Sequence, residues 1–401
     1  KILIMKGDKR MKNDFGSILE RRHNGSMKWE TPYINKRFHT HFQAEDQFYP
    51  LFIADMDFKM DENVQKRLMK FVSEGDLGYF HVQDSFYESI IQWYDEIHHI
   101  HINKDWIIPS IGTITSLHLL TDLFARDQNI LIMTPVYGLF YNCAQIGHAY
   151  KMPLKNKNQE YLIDYDELEK MLKLHQIDVL LFCNPHNPGG KAWSYEELNQ
   201  LVQLCKKYQV MIISDEIHGD ILISDKKFVS LIQFFDIYDQ IIVSSSPNKT
   251  FNISGLSTSF TICKNEDFNK QFNDYLSKLH IGPQRIGIYM IETVYNEGKQ
   301  WYYDLLEYLR QNINMTMELL ETTDMKIMKP DTGYLIWVYL PKIANIDQFV
   351  IDLANETHVL LETGSRFIDN YEGWVRINTA TNSDLLKEAM MRFIEFYKSY
   401  K

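Results

Sequence analysis

The chain has 401 residues, of which 45% are apolar and 13% aromatic, and it carries a formal net charge of −11. This composition supplies enough apolar side chains for a large core, and the length predicts a large domain with a smaller one. An acidic chain binds the phosphate backbone of nucleic acids poorly, so we expect no nucleic-acid partner.

No apolar run approaches the roughly 20 residues of a membrane-spanning helix, so we expect no membrane segment. Residues 1–10 lack the apolar core and cleavage site of a signal peptide.

The four cysteines lie far apart and form no Cys-x-x-Cys pair. This spacing predicts reduced, mostly buried thiols and a cytoplasmic protein.

Residues 12–60 are predicted to form an arm rather than a domain. The arm includes a polar, turn-rich segment at 22–29 and an apolar run at 51–58 that contains two carboxylates. Those carboxylates, Asp55 and Asp57, are equally compatible with a structural role and with a functional one.

Helical periodicity begins at about residue 61 and is broken at 75–79. A second helix follows through residues 86–94. The histidine-rich run at 98–101 has no cysteine or spaced carboxylate beside it, so we expect a solvated loop there and no metal site.

From residue 107 onward, apolar strands alternate with helices. A short strand leads into a turn at Gly112 and then an apolar helix, and the later strand candidates are 129–133, 178–182, 210–214, 240–243 and 258–263. This alternation predicts an α/β fold with a mostly parallel sheet covered by helices, which binds ligands beyond the carboxyl ends of its strands. Neither glycine-rich nucleotide-binding motif, GxGxxG or GxxxxGK[ST], is present.

The last hundred residues change character. A long amphipathic helix over about 301–320 is followed by short strands and a terminal helix over 384–399, an α+β pattern. We therefore expect an arm over 12–60 that joins the small domain, a large domain over 61–295 and a small domain over 296–401.

Four successive strands are each followed by a chemically distinct side chain. These are Tyr137, Asn187, Asp215 and Lys249. Pyridoxal phosphate needs these groups: a lysine that forms a Schiff base, a carboxylate for the pyridine nitrogen, a donor to the phenolic oxygen and a ring that stacks on the pyridine.

The remaining partners of that cofactor are also present. The hydroxyl of Ser246 and the helix start after Gly112 are candidates for the phosphate. The guanidinium fork of Arg376 suits the carboxylate of an amino-acid substrate.

Three motifs carry a family resemblance. In chain order they are Asn-Pro-His-Asn-Pro-Gly-Gly (184–190), Ser-Asp-Glu-Ile-His (214–218) and Pro-Asn-Lys-Thr-Phe-Asn-Ile-Ser-Gly-Leu (247–256). They resemble those of fold-type I, class I/II aminotransferase-like enzymes, most of all the cystathionine β-lyase subgroup of the MalY, PatB and cystalysin kind. The resemblance covers nearly the whole chain from about residue 14. It implies an aspartate-aminotransferase-like fold, with a large domain that binds pyridoxal phosphate.

The resemblance implies roles for the ring-binding residues. Lys249 would form the Schiff base and act as the catalytic base, and Asp215 would pair with the pyridine nitrogen. Asn187 would contact the phenolic oxygen and the substrate carboxylate, and His218 would stand where many relatives have a tyrosine that contacts this oxygen. Tyr137 would stack on the ring and is the second catalytic candidate.

The resemblance also implies the residues that hold the phosphate and the substrate. Ser246 and the N–H groups of Gly112, Thr113 and Ile114 would bind the phosphate, and Arg376 would bind the substrate α-carboxylate. Tyr79 would reach the phosphate and substrate in the neighbouring subunit, which implies a homodimer with shared active sites.

The sequence departs from the pattern at two positions near the lysine. Asn248 stands where relatives usually have a serine, which puts one phosphate contact in doubt. Ser257 stands where many aminotransferases have a phosphate-binding arginine, which the β-lyase subgroup also lacks.

The absence of that arginine favours a carbon–sulfur lyase. Such an enzyme would perform an α,β-elimination on cystathionine or another L-cysteine S-conjugate and release a thiol, pyruvate and ammonia. An aminotransferase needs the same residues and is the alternative. A regulatory protein that carries pyridoxal phosphate is a further one.

Overall fold

The structure is a computed structural model that describes residues 13–369 and 371–400. The expectation about residues 1–10 lies outside this range. The α-helices are α1 (Thr31–Phe38), α2 (Glu62–Ser73), α3 (Asp84–Trp93), α4 (Thr113–Phe124), α5 (Gly138–Ala144), α6 (Tyr165–Leu174), α7 (Tyr195–Tyr208), α8 (Glu266–Lys278), α9 (Arg285–Glu297), α10 (Lys299–Leu320), α11 (Ile346–Thr357) and α12 (Ser383–Ser399).

The strands alternate with these helices along most of the chain. They are β1 (Tyr49–Leu51), β2 (Ile107–Ser110), β3 (Asn129–Thr134), β4 (Val136–Tyr137), β5 (His148–Pro153), β6 (Lys155–Lys157), β7 (Glu160–Leu162), β8 (Val179–Cys183), β9 (Met211–Asp215), β10 (Ile241–Ser245), β11 (Ser259–Ile262), β12 (Lys326–Met328), β13 (Leu335–Tyr339), β14 (Val359–Thr363), β15 (Phe367–Ile368) and β16 (Trp374–Asn378).

The larger sheet has seven strands in the order β2-β11-β10-β9-β8-β3-β5. Strands β10, β9, β8, β3 and β5 pair in parallel, whereas β11 pairs antiparallel with both β10 and β2, so β11 alone runs against the other six strands. Successive side chains enter different cores: Leu180 and Ile212 join one cluster, and Leu181 and Ile213 join another. Both faces of the sheet are therefore buried, and the predicted α/β class with a mostly parallel sheet is confirmed.

The smaller sheet has five strands in the order β1-β14-β16-β13-β12. Strand β1 comes from the N-terminal segment and pairs in parallel with β14, with Tyr49 opposite Val359. One apolar cluster joins side chains of residues 29–52 to side chains of α10, α11 and α12. The domain limits predicted from the sequence remain a proposal.

Two features of the larger sheet position the candidate site. The parallel strands β3, β8, β9 and β10 end at one edge, so the residues that follow them lie near each other. Helix α4 begins after Gly112, whose φ of 96° suits a residue without a side chain.

In the described part of the chain, no helix has both the length and the apolar character that crossing a membrane requires.

Candidate active site

Asp215 is a buried carboxylate at the centre of the sheet edge. It ends β9, opposite Cys183 of β8 and Ser244 of β10, and it is 6% exposed. The carboxylate's one hydrogen bond within the described residues comes from the backbone N of Ile217, at 3.1 Å. Burial raises the pKa of this carboxyl from 3.8 to about 6, although the Ile217 N–H and the Lys249 charge act in the opposite direction. The site therefore holds a carboxylate that suits a cationic donor.

The next residue, Glu216, anchors this strand end from the other side. Its carboxylate accepts hydrogen bonds from Asn184 Nδ2 at 3.0 Å, Ser230 Oγ at 2.5 Å and the Leu231 N–H at 2.9 Å. Adjacent residues of a strand point to opposite faces, so these bonds keep Asp215 directed toward the site.

Lys249 lies in the turn after β10, and its amine reaches the N-terminal segment. The half-buried side chain donates from Nζ to the Ala54 carbonyl at 2.8 Å. Burial lowers the pKa of this amine from 10.5 to about 8, and the charge of Arg376 lowers it further, against the attraction of Asp55 and Asp215. A lysine with this pKa is partly neutral near physiological pH and can act as a base.

Arg376 is a buried cation, and its ion pair within the described residues is a long one with Glu362. It lies on β16 and is 4% exposed, and its Nη2 is 4.0 Å from Glu362 Oε2. Its Nη1 donates to Asn187 Oδ1 at 3.2 Å, whereas its buried Nε has no partner within the described chain. Burial lowers the pKa of the guanidinium. A ligand carboxylate would supply the missing charge.

The structure also brings His218 and Tyr137 to this region. His218 is 9% exposed, and burial together with the charges of Lys249 and Arg376 lowers its pKa from 6.5 to about 3. This imidazole is therefore neutral at physiological pH. The Tyr137 ring is half-buried and lies 6.3 Å from the Phe367 ring, over which Arg376 Cζ sits at 5.0 Å.

The start of α4 and the lysine turn are the candidate phosphate cradle. The Gly112 N–H, which was expected to bind the phosphate, donates instead to Ser259 Oγ at 2.8 Å. Gly112 caps α4 without a side-chain hydrogen bond, which leaves the N–H groups of Thr113 and Ile114 in the first turn as candidates for the anion. Ser257 lies beside this turn, because a Cβ on Gly112 would stand 3.9 Å from the Ser257 Cα. The Ser246 hydroxyl donates to the Thr258 carbonyl at 2.7 Å.

The departure at Asn248 has a structural explanation. Its Nδ2 donates to the Thr258 carbonyl at 3.0 Å, and its buried Oδ1 has no partner among the described atoms. Asn248 therefore ties the lysine turn to the residue before β11.

The residues present fit pyridoxal phosphate. Asp215 offers a carboxylate that accepts one hydrogen bond within the described residues, and Lys249 offers an amine of lowered pKa. Helix α4 offers an N-terminus without a side-chain cap. Arg376 leaves a cation for a carboxylate substrate. Among the described residues, no group of three or more His, Cys, Asp or Glu side chains has the arrangement of a metal site.

Tyr79 lies apart from this group within one chain. It is fully exposed and lines a surface groove with Phe71, Arg285 and Tyr289, where none of the other predicted site residues lies. Its predicted role in a neighbouring subunit remains a proposal.

Sequence reasoning missed parts of the site. The Ala54 carbonyl holds the Lys249 amine, and Asp55 beside it pairs with Arg21 at 2.6 Å. Tyr334 is buried and close enough to Asp55 and Arg376 for both charges to act on its pKa, which burial raises. The carboxylates within the apolar run at 51–58 pointed to Asp55, whereas no motif indicated Tyr334.

Asp57 is a structural residue. It is 2% exposed, its Oδ2 accepts from Lys28 Nζ at 2.7 Å, and its Oδ1 accepts from Trp29 Nε1 at 2.7 Å. These contacts favour the structural one of the two roles that the sequence left open for Asp57.

The expectation of a solvated loop at residues 98–101 is wrong for His98. Its side chain is 5% exposed, and its Nε2 lies 2.8 Å from Asp220 Oδ1. A π-helical turn over Tyr94–His98 at the end of α3 directs this side chain inward.

Comparisons with known proteins agree with this geometry. Residues 55–393 match the family model described as aminotransferase class I and II. A curated relative, the cystathionine β-lyase PatB of Bacillus subtilis strain 168, is 30% identical over 351 residues, which cover 86% of this chain and 91% of that protein.

Two solved structures share the whole fold. The PLP-bound C–S lyase from Staphylococcus hominis is 29% identical, with a TM-score of 0.87 over 96% of this chain and 97% of the other. Cystalysin from Treponema denticola, which contains pyridoxal 5′-phosphate, is 27% identical, with a TM-score of 0.90 over 98% of this chain and 100% of the other.

Proposed function

The chain belongs to the aminotransferase class I and II family, and from this premise we propose that it is a pyridoxal-phosphate-dependent carbon–sulfur β-lyase. The observation that carries the proposal is the arrangement of Lys249, Asp215 and Arg376, an amine of lowered pKa near a buried carboxylate and a buried guanidinium that lies 4.0 Å from Glu362. The substrate class is an L-cysteine S-conjugate such as cystathionine, which the name of the PatB relative supports.

Each part of the cofactor has candidate ligands in this chain. Asp215 would hold a proton on the ring nitrogen, Tyr137 would cover the ring face, and Asn187 with His218 would face the phenolic oxygen. The first turn of α4 would hold the phosphate, and Ser246 would join it only by turning its hydroxyl away from the Thr258 carbonyl, to which it now donates. Pyridoxal phosphate, when bound, supplies an aldehyde that captures an amino group and a ring that accepts an electron pair from the substrate Cα.

The protein residues position the substrate and move one proton. Arg376 binds the α-carboxylate through its two terminal nitrogens. The neutral amine of Lys249 removes the proton from the substrate Cα, and the resulting ammonium returns it to the departing sulfur. The Cβ–S bond breaks to give a thiol and 2-aminoacrylate, which water converts to pyruvate and ammonia.

The alternative function is an aminotransferase, since the family includes such enzymes by description. The serine at position 257 supports the lyase, because this small side chain beside Gly112 brings no cation to the phosphate cradle. The purified protein, loaded with pyridoxal phosphate and given cystathionine, is expected to release pyruvate without any 2-keto acid. Strict dependence of turnover on an added keto acid would instead identify an aminotransferase.

A conservative change at Arg376 tests the substrate site. Arg376→Lys retains the charge but loses the planar fork, so we expect KM for the amino-acid substrate to rise about 10- to 100-fold with a smaller change in kcat. Steady-state kinetics measure both constants. Arg392→Lys is the matched control, since Arg392 also lies over an aromatic ring, that of Tyr49 at 5.1 Å, but is an exposed residue of α12. An unchanged KM in Arg376→Lys would remove Arg376 from the substrate site.

We further propose that the protein acts as a cytoplasmic homodimer. The exposed Tyr79 and its exposed neighbour Leu77 support a shared interface, and the four free, buried cysteines suit a reducing compartment. Sedimentation velocity should show the mass of two chains, and a monomer that is fully active would contradict the shared site.

A further inference from the structure

A buried carboxylate that the proposed chemistry does not use lies behind the lysine. Asp220 follows β9 and is 8% exposed. Its Oδ2 accepts a hydrogen bond from Thr250 Oγ1 at 2.6 Å. Thr250 is fully buried and directly follows Lys249 in the chain. Asp220 therefore binds the residue that directly follows the lysine with the reactive amine.

The other oxygen of Asp220 is held from α3 and the turn that follows it. Its Oδ1 accepts from Trp93 Nε1 at 3.0 Å and faces His98 Nε2 at 2.8 Å. A carboxylate oxygen only accepts, so an ionised Asp220 requires the proton of His98 on Nε2. Both donors are almost fully buried, and Tyr302 donates to the Asp220 backbone carbonyl at 2.8 Å. These contacts leave the carboxylate little freedom to move.

The turn that carries Lys249 is tied to the protein on three sides. Asn248 bonds to the Thr258 carbonyl, and Asn252 exchanges hydrogen bonds with the backbone of Met56 at 2.8 and 2.9 Å. The third tie is the Thr250–Asp220 bond, which lies between these two along the turn. It joins the residue after Lys249 to a charged, fixed acceptor, and hydrogen bonds to charged groups are stronger than neutral ones.

We propose that Asp220 is a positioning residue for Lys249, acting through the Thr250 hydroxyl while Trp93 and His98 fix the carboxylate. The inference rests on the proposed function only in taking Lys249 as the reactive amine. The network keeps the amine at the Ala54 carbonyl, within reach of Asp55, Asp215 and Arg376. Without it, the turn is free to move the amine toward water.

The amine of Lys249 reports this positioning directly. Its pKa is lowered to about 8 chiefly by burial, so an amine that moves toward solvent titrates closer to 10.5. Trace labelling of the full-length, cofactor-free protein with acetic anhydride over a pH series, read at the Lys249 peptide by mass spectrometry, measures this value. Thr250→Val removes the hydroxyl at constant volume and is expected to raise the midpoint by about one pH unit, a tenfold change in the neutral fraction. Thr250→Ser is expected to restore it.

A matched control separates this effect from a general loss of packing. Thr316 is also fully buried, and its hydroxyl bonds to the Asn312 carbonyl of its own helix, so Thr316→Val should leave the Lys249 midpoint unchanged. Thermal melting identifies variants that fail to fold. If Thr250→Val is one of them, Asp220→Ala, which leaves the Thr250 hydroxyl without this partner, serves as the second variant, with the same rise expected.

The proposal is overturned if a folded Thr250→Val or Asp220→Ala protein titrates at Lys249 like the wild type, or if Thr250→Ser fails to restore the value. The labelling needs no cofactor, so it is independent of the lyase assay. A wild type that releases no pyruvate contradicts the proposed function alone. In the loaded enzyme, Thr250→Val is also expected to lower kcat about tenfold with KM little changed.

Discussion

Lys249→Ala is expected to lower the rate of pyruvate release by at least about 1,000-fold, because the variant loses both the covalent anchor for the cofactor and the base for the substrate Cα proton. In the described structure, the Lys249 amine has a pKa of about 8 and donates a hydrogen bond to the Ala54 carbonyl. Pyruvate formation from cystathionine measures the loss. Borohydride treatment of the loaded wild type should attach the cofactor irreversibly to the Lys249 peptide, and the variant should carry no such label.

Lys264→Ala is the control for this change. Lys264 also follows a strand, β11, but that strand is antiparallel to β10, so its end lies at the opposite edge of the sheet. Its side chain pairs with Asp236, far from the site residues. The assignment of Lys249 fails if Lys249→Ala keeps more than about a tenth of wild-type activity while Lys264→Ala behaves normally.

Asp215→Asn is expected to lower turnover by about 100- to 10,000-fold while leaving the folded chain intact. The amide has the shape of the carboxyl but no charge, so it no longer holds a proton on a ring nitrogen. Steady-state assay with saturating pyridoxal phosphate measures the effect. Asp178→Asn is the matched control, because Asp178 caps the sheet at its other edge by accepting the Asn129 N–H at 2.8 Å.

The same substitution should stabilise the cofactor-free chain above pH 6. The pKa of Asp215 is raised in the folded protein from 3.8 to about 6, so the folded chain binds more protons than the unfolded chain between these values. Its unfolding free energy therefore falls as pH rises through this window, by about 2 to 3 kcal/mol. The amide that replaces the carboxyl does not titrate, so the melting temperature of the variant should exceed that of the wild type above pH 6. A lower melting temperature at that pH would contradict the unpaired, buried character of Asp215.

Stability and activity thus change in opposite directions at this position. A buried carboxylate with one hydrogen bond destabilises the fold, and the structure retains it at the sheet edge where a cationic ligand group would pair with it. By the same argument, the buried Arg376, which lies 4.0 Å from Glu362, is retained at a place where a substrate carboxylate would pair with it.

Some of the site could be predicted from the sequence because its signals are local. Strand β9 was predicted within one residue, and Asp215 ends it as expected from the apolar run. Strands β3, β8 and β10 are equally apolar, and their residues are almost all buried. Strand β5 was missed, because it lies at the edge of the sheet and only one of its six residues is fully buried, so it lacks the apolar run that marks the others.

Other features lie outside what a local pattern reveals. His98 stands in a run of polar residues that resembles a solvated loop, yet the π-helical turn after α3 buries it against Asp220. The Ala54 carbonyl carries no side-chain signal at all, since any residue supplies the same backbone oxygen. Tyr334 is one of 24 tyrosines, and only packing distinguishes it.

The sequence by itself determined which groups meet at the strand ends, since parallel strands of one sheet place their carboxyl ends at one edge whatever surrounds them. It thus predicted the α/β class and the side chains that lie near Lys249. Only the tertiary structure decided the surroundings of that lysine. Burial and the charge of Arg376 from the smaller sheet lower its pKa, the Ala54 carbonyl from the N-terminal segment accepts its hydrogen bond, and the next residue, Thr250, donates to Asp220. These contacts join residues far apart in the chain, and their geometry depends on how whole elements pack rather than on any local run of residues.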